Sequence, residues 1–332
     1  MNLSQWKTCA LVGLLVFSSA ACRDTVAKQE RRIGTESGLP VLVTAIDFGE
    51  QRFEDALVEA KLAADRIEGL VSPKVKNSDL ARAMEGGTAV VSPETLQVME
   101  KVQELCTSTE GAFDVTIGPV LDLWLSTGPK GQIPEAVLKD AMDKVGCQLV
   151  KTSRTKSLVS LEKAGMRLEL GGIIRGIVGE EVKKVLQKYG ITRGIVDLDG
   201  DILLFSGKGD PEFKVGINHP LKPGTHYAVL SIAEGAVMTT ACYGNATEAG
   251  CNIVDPRSGK VSTSLLSVTV TARDAAAADA YSTAFFVLGA DEGFALAKSL
   301  PEVEAVFLMS DGAGGVTMKA TPGLKDRVTL AQ

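Results

Sequence analysis

The apolar residues of this chain fall into short runs, and the period of each run predicts an element. Val41 to Phe48 (VLVTAIDF) predicts a strand, and Phe53 to Leu70 carries apolar residues at helical spacing. Ser72 to Met84 keeps neither period and reads as irregular. Ser92 to Thr107 predicts a helix opened by Ser92-Pro93-Glu94, and Pro134 to Val145 a shorter one. Ser157 to Leu170 has strand-turn-strand character. Ile173 to Tyr189 is helical, with Gly190 as its stop. Gly194 to Phe205 predicts a buried strand pair or one bent strand. Lys214 to Asn218, Tyr227 to Ile232 and Ser267 to Thr271 are further strands. Ala275 to Leu288 is a strongly apolar helix, followed by another over Asp291 to Leu300. Val303 to Met309 and Gly315 to Lys319 predict a closing hairpin. Helices and strands alternate irregularly, which predicts an α+β fold over a doubly wound parallel sheet.

The first 22 residues, MNLSQWKTCALVGLLVFSSAAC, follow a different logic. Lys7 gives a positive start. Ala10 to Phe17 is an apolar run too short to cross about 30 Å of hydrocarbon. Small residues Ser18 to Ala21 lead to a cysteine, the order of a secretory signal. The cysteine directly after Ala20-Ala21 resembles a bacterial lipobox, with Ser19 where Leu is more usual. This predicts a signal peptide over 1–21 and a lipid on Cys22. A charged, polar tether over 22–32 and a folded domain over 33–332 then follow, placed on the periplasmic face of a bacterial membrane. The other reading is an ordinary signal peptide with Cys22 an incidental thiol.

Composition narrows the classes. The chain has 332 residues and a formal charge of −6, which argues against a general nucleic-acid binder. Past residue 22 no apolar run is long enough for a transmembrane helix. Four cysteines fall in the folded region, Cys106, Cys147, Cys242 and Cys251, and three pairings are open. Cys242 with Cys251 flanks a short loop; Cys106 with Cys147 is the other pair considered. Zinc is disfavoured, since there is no CxxC and only His219 and His226 exist.

Four stretches can carry chemistry. In Leu168 to Gly176 (LELGGIIRG) a strand ends in two glycines and a helix begins. Glycines let backbone approach a ligand, and a helix start favours phosphate. Arg175 sits in the first turn, where a cation opposes the helix dipole, so it is a candidate to face an anion. The bland reading is a tight turn with a surface Arg. In AAAADAYSTAFFVLG, Asp279 and Thr283 are four apart on one helix face among small and apolar residues. A carboxylate and a hydroxyl are hard oxygen ligands suited to Mg²⁺ or Ca²⁺. The alternative is a cap or an Arg partner for Asp279. Asp255-Pro256-Arg257-Ser258-Gly259 reads as a turn between strands. Gly111 to Pro119 is a loop with one aromatic and one acid.

Taken in order, these stretches resemble the ApbE family, the FAD:protein FMN transferases, many of them periplasmic lipoproteins. The likeness runs from about Ile33 to Met309. It includes IGT at Ile33–Thr35, SDLAR at Ser78–Arg82, GAFDVTIGP at Gly111–Pro119, LGGIIRG at Leu170–Gly176, IVDPRSG at Ile253–Gly259 and ADAYSTAFFVLG at Ala278–Gly289. The resemblance implies a T-fold-related α+β arrangement of mixed sheets and helices in two intimate lobes, with FAD in the cleft between them. It implies FMN transfer from FAD to a Thr or Ser of a partner flavoprotein with release of AMP, and Mg²⁺ on the pyrophosphate. By the same resemblance the metal ligands are Asp279, Thr283 and the backbone oxygen of Gly172. FAD contacts are Ile33, Lys74, Ala112, Phe113, Asp114, Arg175 and Ile253. The lipid anchor would hold the domain near a membrane-associated flavin-acceptor redox protein.

Several positions depart from the family pattern. Arg175 stands where the family usually has Lys, and Asn252 where it has the His of HIIDP. Asn cannot take up a proton at working pH. The family's GGD is Asp199-Gly200-Asp201 here, and its TSGDY is Thr239-Thr240-Ala241-Cys242-Tyr243. The family's Tyr near the flavin aligns with Lys74, and its SELSRLN asparagine with Met84. An active transferase and a divergent, catalytically weak FAD-binding lipoprotein or assembly factor are therefore both carried forward. A solute-binding lipoprotein fits the N-terminus but not the Gly172, Asp279 and Thr283 pattern.

Overall fold

The computed structural model describes residues 28–127, 132–242 and 253–331. Strand β1 (Lys28–Gly34) pairs antiparallel with β2 (Pro40–Ile46). Helix α1 (Glu50–Val71) buries Phe53, Ala56, Leu57, Ala60, Ala64 and Ile67, the one apolar stripe its spacing allows. Helix α2 (Asp79–Gly86) is capped by Ser78, whose Oγ accepts from the Ala81 N–H at 3.0 Å. After β3 (Thr88–Val90), α3 (Pro93–Ser108) starts as the sequence signals: Ser92 Oγ accepts from the Thr95 N–H and Pro93 opens the first turn. Then come α4 (Gly118–Thr127), α5 (Glu135–Met142), β4 (Val150–Ser153), β5 (Leu158–Leu161) and α6 (Ile174–Lys188). Strands β6 (Gly194–Leu198), β7 (Asp201–Phe205), β8 (Phe213–Asn218), β9 (His226–Ile232), β10 (Gly235–Ala241) and β11 (Ser267–Ala272) lead into α7 (Ala275–Ser299). Strands β12 (Glu304–Ser310), β13 (Val316–Ala320) and β14 (Val328–Leu330) complete the order.

Eight strands form one sheet in the order β1-β2-β6-β7-β10-β11-β12-β13, every pair antiparallel. Its central strands are buried on both faces, and the alternation of side chains shows how. In β12, Ala305 and Phe307 point into the core beneath the helices, while Val306 and Leu308 point to the opposite face. Strands β7 and β10 divide the same way, with Leu203 and Met238 on the helix side and Leu204 and Val237 on the other. On the helix side α7 packs against β10 and β11, with α6 beside it and α1 against α6. The other face is covered by a small antiparallel sheet, β14-β9-β8. A third sheet, β3-β5-β4, joins α2 and α3 at one end. The fold is α+β, as expected.

Three local expectations change. The tether expected over 22–32 is shorter, because Lys28–Gly34 is already a strand of the main sheet, so the folded domain begins before residue 33. Residues 72–84, read as irregular, contain most of α2, whose helix is too short to show a period. Over 157–170 only Leu158–Leu161 is a strand, and its partners are the earlier β3 and β4. One hydrophobic core runs from Val41 through α1, α3, α6 and α7 to Phe307, in keeping with the intimate lobes expected. The two helices expected around Ala275 and Asp291 meet at Gly289, whose φ of 80° breaks the helical path between them. Among the described residues no helix is long and apolar enough to cross a membrane. Cys22 lies outside the described residues.

Candidate functional site

Two glycines make the floor of one cleft possible. The turn after Leu170 closes with the Ile173 and Ile174 N–H groups donating to the Leu170 carbonyl, and α6 starts there. A Cβ on Gly172 would lie 2.8 Å from Thr283 Oγ1 and 3.4 Å from a Phe113 ring carbon. A Cβ on Gly176 would lie 2.4 Å from the Ala275 carbonyl oxygen. Glycine at both places lets the first turn of α6 press against α7. That contact brings the Gly176 N–H to Asp279 Oδ2, at 3.2 Å.

The cleft above this contact has a volume of about 500 Å³. Gly171, Gly172, Arg175 and Thr283 line it on one side, Asp199, Gly200, Asp201, Thr239, Thr240 and Ala241 on a second. Ala112, Phe113, Asp114, Ile117, Ile253 and Pro256 make a third wall. Arg175 Nη1 reaches Asp201 Oδ2 at 3.2 Å, and Asp201 Oδ1 accepts from the Thr239 N–H at 2.8 Å. The Thr240 hydroxyl lies 2.7 Å from Ser282 Oγ and 3.2 Å from Thr283 Oγ1.

The electrostatics of this floor are unbalanced. Burial pushes the Asp279 carboxyl up to about 8, and the charge of Asp201 pushes the same way. Burial also raises Asp201, to about 6, against the pull of the Thr239 N–H and Arg175. Two buried carboxylates face one guanidinium, so the ionised floor carries a surplus negative charge. The Asp279 carboxylate, the Thr283 hydroxyl and the Gly172 carbonyl form an all-oxygen donor set of the kind a hard divalent cation takes. The residues present fit Mg²⁺.

The third wall is built differently. Asp114 Oδ1 accepts from the Thr116 N–H (2.8 Å) and Oγ–H (2.7 Å), and Oδ2 accepts from the Cys147 N–H at 2.7 Å. Thr116 Oγ1 in turn accepts from the Gly146 N–H at 2.7 Å. Burial still holds the Asp114 carboxyl above its usual range. Its carboxylate thus shapes the loop and is spoken for by the backbone around it. Cys106 and Cys147 are joined by a disulfide. Their sulfurs lie near the Asp114 carboxylate, but as a disulfide they are not thiolate ligands for a metal. Cys242 is also disulfide-bonded; the expected partner Cys251, like Asn252, lies outside the described residues.

Of the residues marked in the sequence, Ala112, Phe113, Asp114, Gly172, Arg175, Ile253 and Thr283 line one cleft, and Asp279 lies beneath it. Lys74 and Ile33 do not line it. Lys74 is exposed and reaches the cleft only through Glu169, a lining residue, at 3.2 Å. Ile33 sits in β1, half-buried against the main core. Asp255 makes the expected turn: its carbonyl accepts from the Gly259 N–H and its carboxylate from Arg257. Sequence reasoning did not single out Glu169, Asp201, Thr239 or Thr240 as site residues. Asp201 had a signal in its place within Asp199-Gly200-Asp201, and Thr239 and Thr240 in theirs. Glu169 had only its position before the glycine pair.

A glycine-opened helix start, buried acids and hydroxyls, and a hydrogen-bonded loop carrying Phe113 surround one cleft on an α+β scaffold. The model of the ApbE family matches residues 38–307, and the chain belongs to that family. It is 29% identical over 299 residues to a protein of Treponema pallidum named FAD:protein FMN transferase, covering 83% of this chain and 82% of that one. A protein of the same name from Escherichia coli K12 is 28% identical over 252 residues, 71% of each chain. The flavin transferase ApbE of Vibrio cholerae superposes with a TM-score of 0.79 at 22% identity, over 91% of this chain and 99% of that one. The ApbE protein of Thermotoga maritima gives the same TM-score at 22% identity, with the same coverage. These structures establish the fold.

Proposed function

We propose that this protein is a Mg²⁺-dependent FAD:protein FMN transferase. It moves FMN from FAD to a Thr or Ser hydroxyl of a partner flavoprotein and releases AMP. The observation that carries this reading is a cleft lined by Gly172, Thr283, Phe113 and Arg175, with the buried Asp279 carboxylate held against Gly176 beneath it. In the transfer, the acceptor hydroxyl oxygen bonds to the FMN phosphorus and releases its proton to solvent, while the bond from that phosphorus to the AMP oxygen breaks and its electron pair leaves with AMP. Such chemistry asks for positioning and charge neutralisation more than for covalent help. Magnesium, when bound, supplies the charge that offsets the pyrophosphate. Asp279, Thr283 and the Gly172 carbonyl would hold it. Arg175 places a guanidinium on the cleft wall, and Asp201 fixes its direction. Gly171 and Gly172 let the diphosphate approach backbone. Phe113 and Ile253 give the isoalloxazine apolar walls.

We further place the protein at the periplasmic face of a bacterial membrane, held by a lipid on Cys22 close to a membrane-associated redox acceptor. A weaker, FAD-binding role is the second reading, favoured by the tie between Arg175 and Asp201, which draws the guanidinium to a carboxylate of its own. The two separate in one assay. The mature protein is incubated with FAD, Mg²⁺ and an acceptor domain and run on a denaturing gel. A fluorescent flavin band on the acceptor is expected. FAD bound with no band overturns the transferase reading and leaves the second.

A further inference from the structure

The loop that walls the cleft is closed by the Cys106–Cys147 disulfide, and both half-cystines also hold that loop through their backbones. The Cys106 carbonyl accepts from the Gly111 N–H at 2.9 Å. The Cys147 N–H donates to Asp114 Oδ2 at 2.7 Å. Between these two anchors run Ala112, Phe113 and Asp114, three cleft-lining residues in succession. The Phe113 N–H donates to Thr109 Oγ1 at 3.1 Å, so the loop is fastened to the end of α3 as well. On the far side, Gly146 next to Cys147 donates to Thr116. The disulfide joins residues 41 apart in sequence, and the cross-link brings the segment around Gly146 against the loop. Besides it, that segment is tied to Asp114 and Thr116 by the N–H groups of Gly146 and Cys147.

We propose that Cys106 and Cys147 are positioning residues for the FAD site, and that oxidation to their disulfide raises the fraction of molecules whose site is competent. The inference rests on the transferase reading of the same cleft. As dithiol, the chain leaves Asp114 a buried carboxylate whose contact to Cys147 opens more readily, and the Phe113 wall is ordered in a smaller fraction of molecules. On oxidation, two thiols give up two electrons and two protons to a disulfide oxidant, which becomes a dithiol. The loop is then locked in its binding shape. A chain bearing an export signal starts in a reducing compartment and ends in an oxidising one, so the clasp ties flavin binding to arrival. The apparent dissociation constant rises in inverse proportion to the competent fraction, so a tenth of the molecules ordered means about tenfold weaker binding.

The test uses the mature protein and its Cys106→Ala/Cys147→Ala variant, which leaves Cys242 untouched. FAD affinity is read by fluorescence quenching, transfer by steady-state kinetics, and loop order by hydrogen exchange at Gly111, Phe113 and Cys147. The variant is expected to bind FAD about tenfold more weakly, with KM for FAD raised and kcat at saturating FAD nearly unchanged. Reductant is expected to produce the same shift in the wild type and none in the variant, which separates this clasp from the Cys242 disulfide. Thr116→Val, with the clasp intact, removes the Gly146 and Asp114 contacts and is expected to shift FAD affinity the same way by a smaller factor. Unchanged FAD affinity and loop exchange in the folded variant or in reduced wild type overturn the proposal while leaving the transferase reading standing. If FAD binding shifts as described but no acceptor is ever flavinylated, the clasp stands and the transferase reading falls.

Discussion

The floor of the cleft and the loop that walls it treat a buried carboxylate in opposite ways. On the floor, Asp279 and Asp201 sit within one field, share one guanidinium and are both driven toward their protonated forms. In the loop, Asp114 is equally hidden but has three donors from Thr116 and Cys147, all local. One region is left electrically incomplete, and the other is complete without any ligand. Incomplete charge marks where something must bind; complete hydrogen bonding marks what gives that place its shape.

The sharpest way to break the contrast is Asp279→Ala. Flavin transfer is expected to fall on the order of a thousandfold, since the developing charge loses its metal anchor; survival of the fluorescent acceptor band would remove Asp279 from the metal set. Asp279→Asn keeps an acceptor for the Gly176 N–H and deletes the charge, so the same loss of transfer should come with a metal-free protein that melts no lower than wild type. Arg175→Ala comes next, with kcat/KM down about ten- to a hundredfold, because a charge-assisted contact to the diphosphate goes. Its unmasked partner Asp201 should then titrate still higher, which NMR of that carboxyl would report.

The pH dependence tests the floor as a whole. Asp279 and Asp201 have raised values when folded, so the folded chain holds more protons than the unfolded one between the ordinary carboxylate range and about 8. Metal-free stability is therefore expected to fall as pH rises through that window, as judged by urea midpoints at pH 5.5 and 8. Mg²⁺ should restore more stability at pH 8 than at pH 5.5, where protons compete for its ligands. Equal restoration at both pH values would mean the cation binds elsewhere. The loop answers with stability more than chemistry: Asp114→Ala should cost about 1–3 kcal/mol by stranding the donors of Thr116 and Cys147, read as a lower urea midpoint. The smallest effect is Lys74→Ala. An exposed ion pair contributes about 0–1 kcal/mol, so KM for FAD should move by less than about twofold.

Much of this contrast was legible before the structure. Asp279 and Thr283 stood out as a carboxylate and a hydroxyl four apart in an apolar helix, with a cap or an Arg partner as the other reading, and the glycine pair as a place where backbone can approach a ligand, with a tight turn as the other. Residues that depend on distant pairing were not legible in that way. Asp201 becomes a floor residue because β7 lies beside β10, which brings the Thr239 N–H and Arg175 to one carboxylate. Lys74 went the other way: its motif position placed it at the flavin, yet its side chain turns to Glu169 and solvent. The helix α2 was hidden by its brevity; it is held by Ser78 and by Asp79, which accepts from Ser92 and Thr95 across a gap no local period reveals. The disulfide partner of Cys106 was open for the same reason, since pairing follows the fold and not the spacing.

Strand β1 has a bearing on how such an enzyme would meet its clients. Its pairing with β2 draws the chain into the sheet from Lys28 onward, so that with the proposed lipid on Cys22 only residues 22–27 would remain to reach a bilayer. At full extension that stretch would measure roughly 20 Å. A leash so short would turn encounter into a search over a surface instead of through a volume. Clients floating free in solution would be left at a disadvantage, and those drifting in the same lipid sheet, with their hydroxyl held at a matching height, would be favoured.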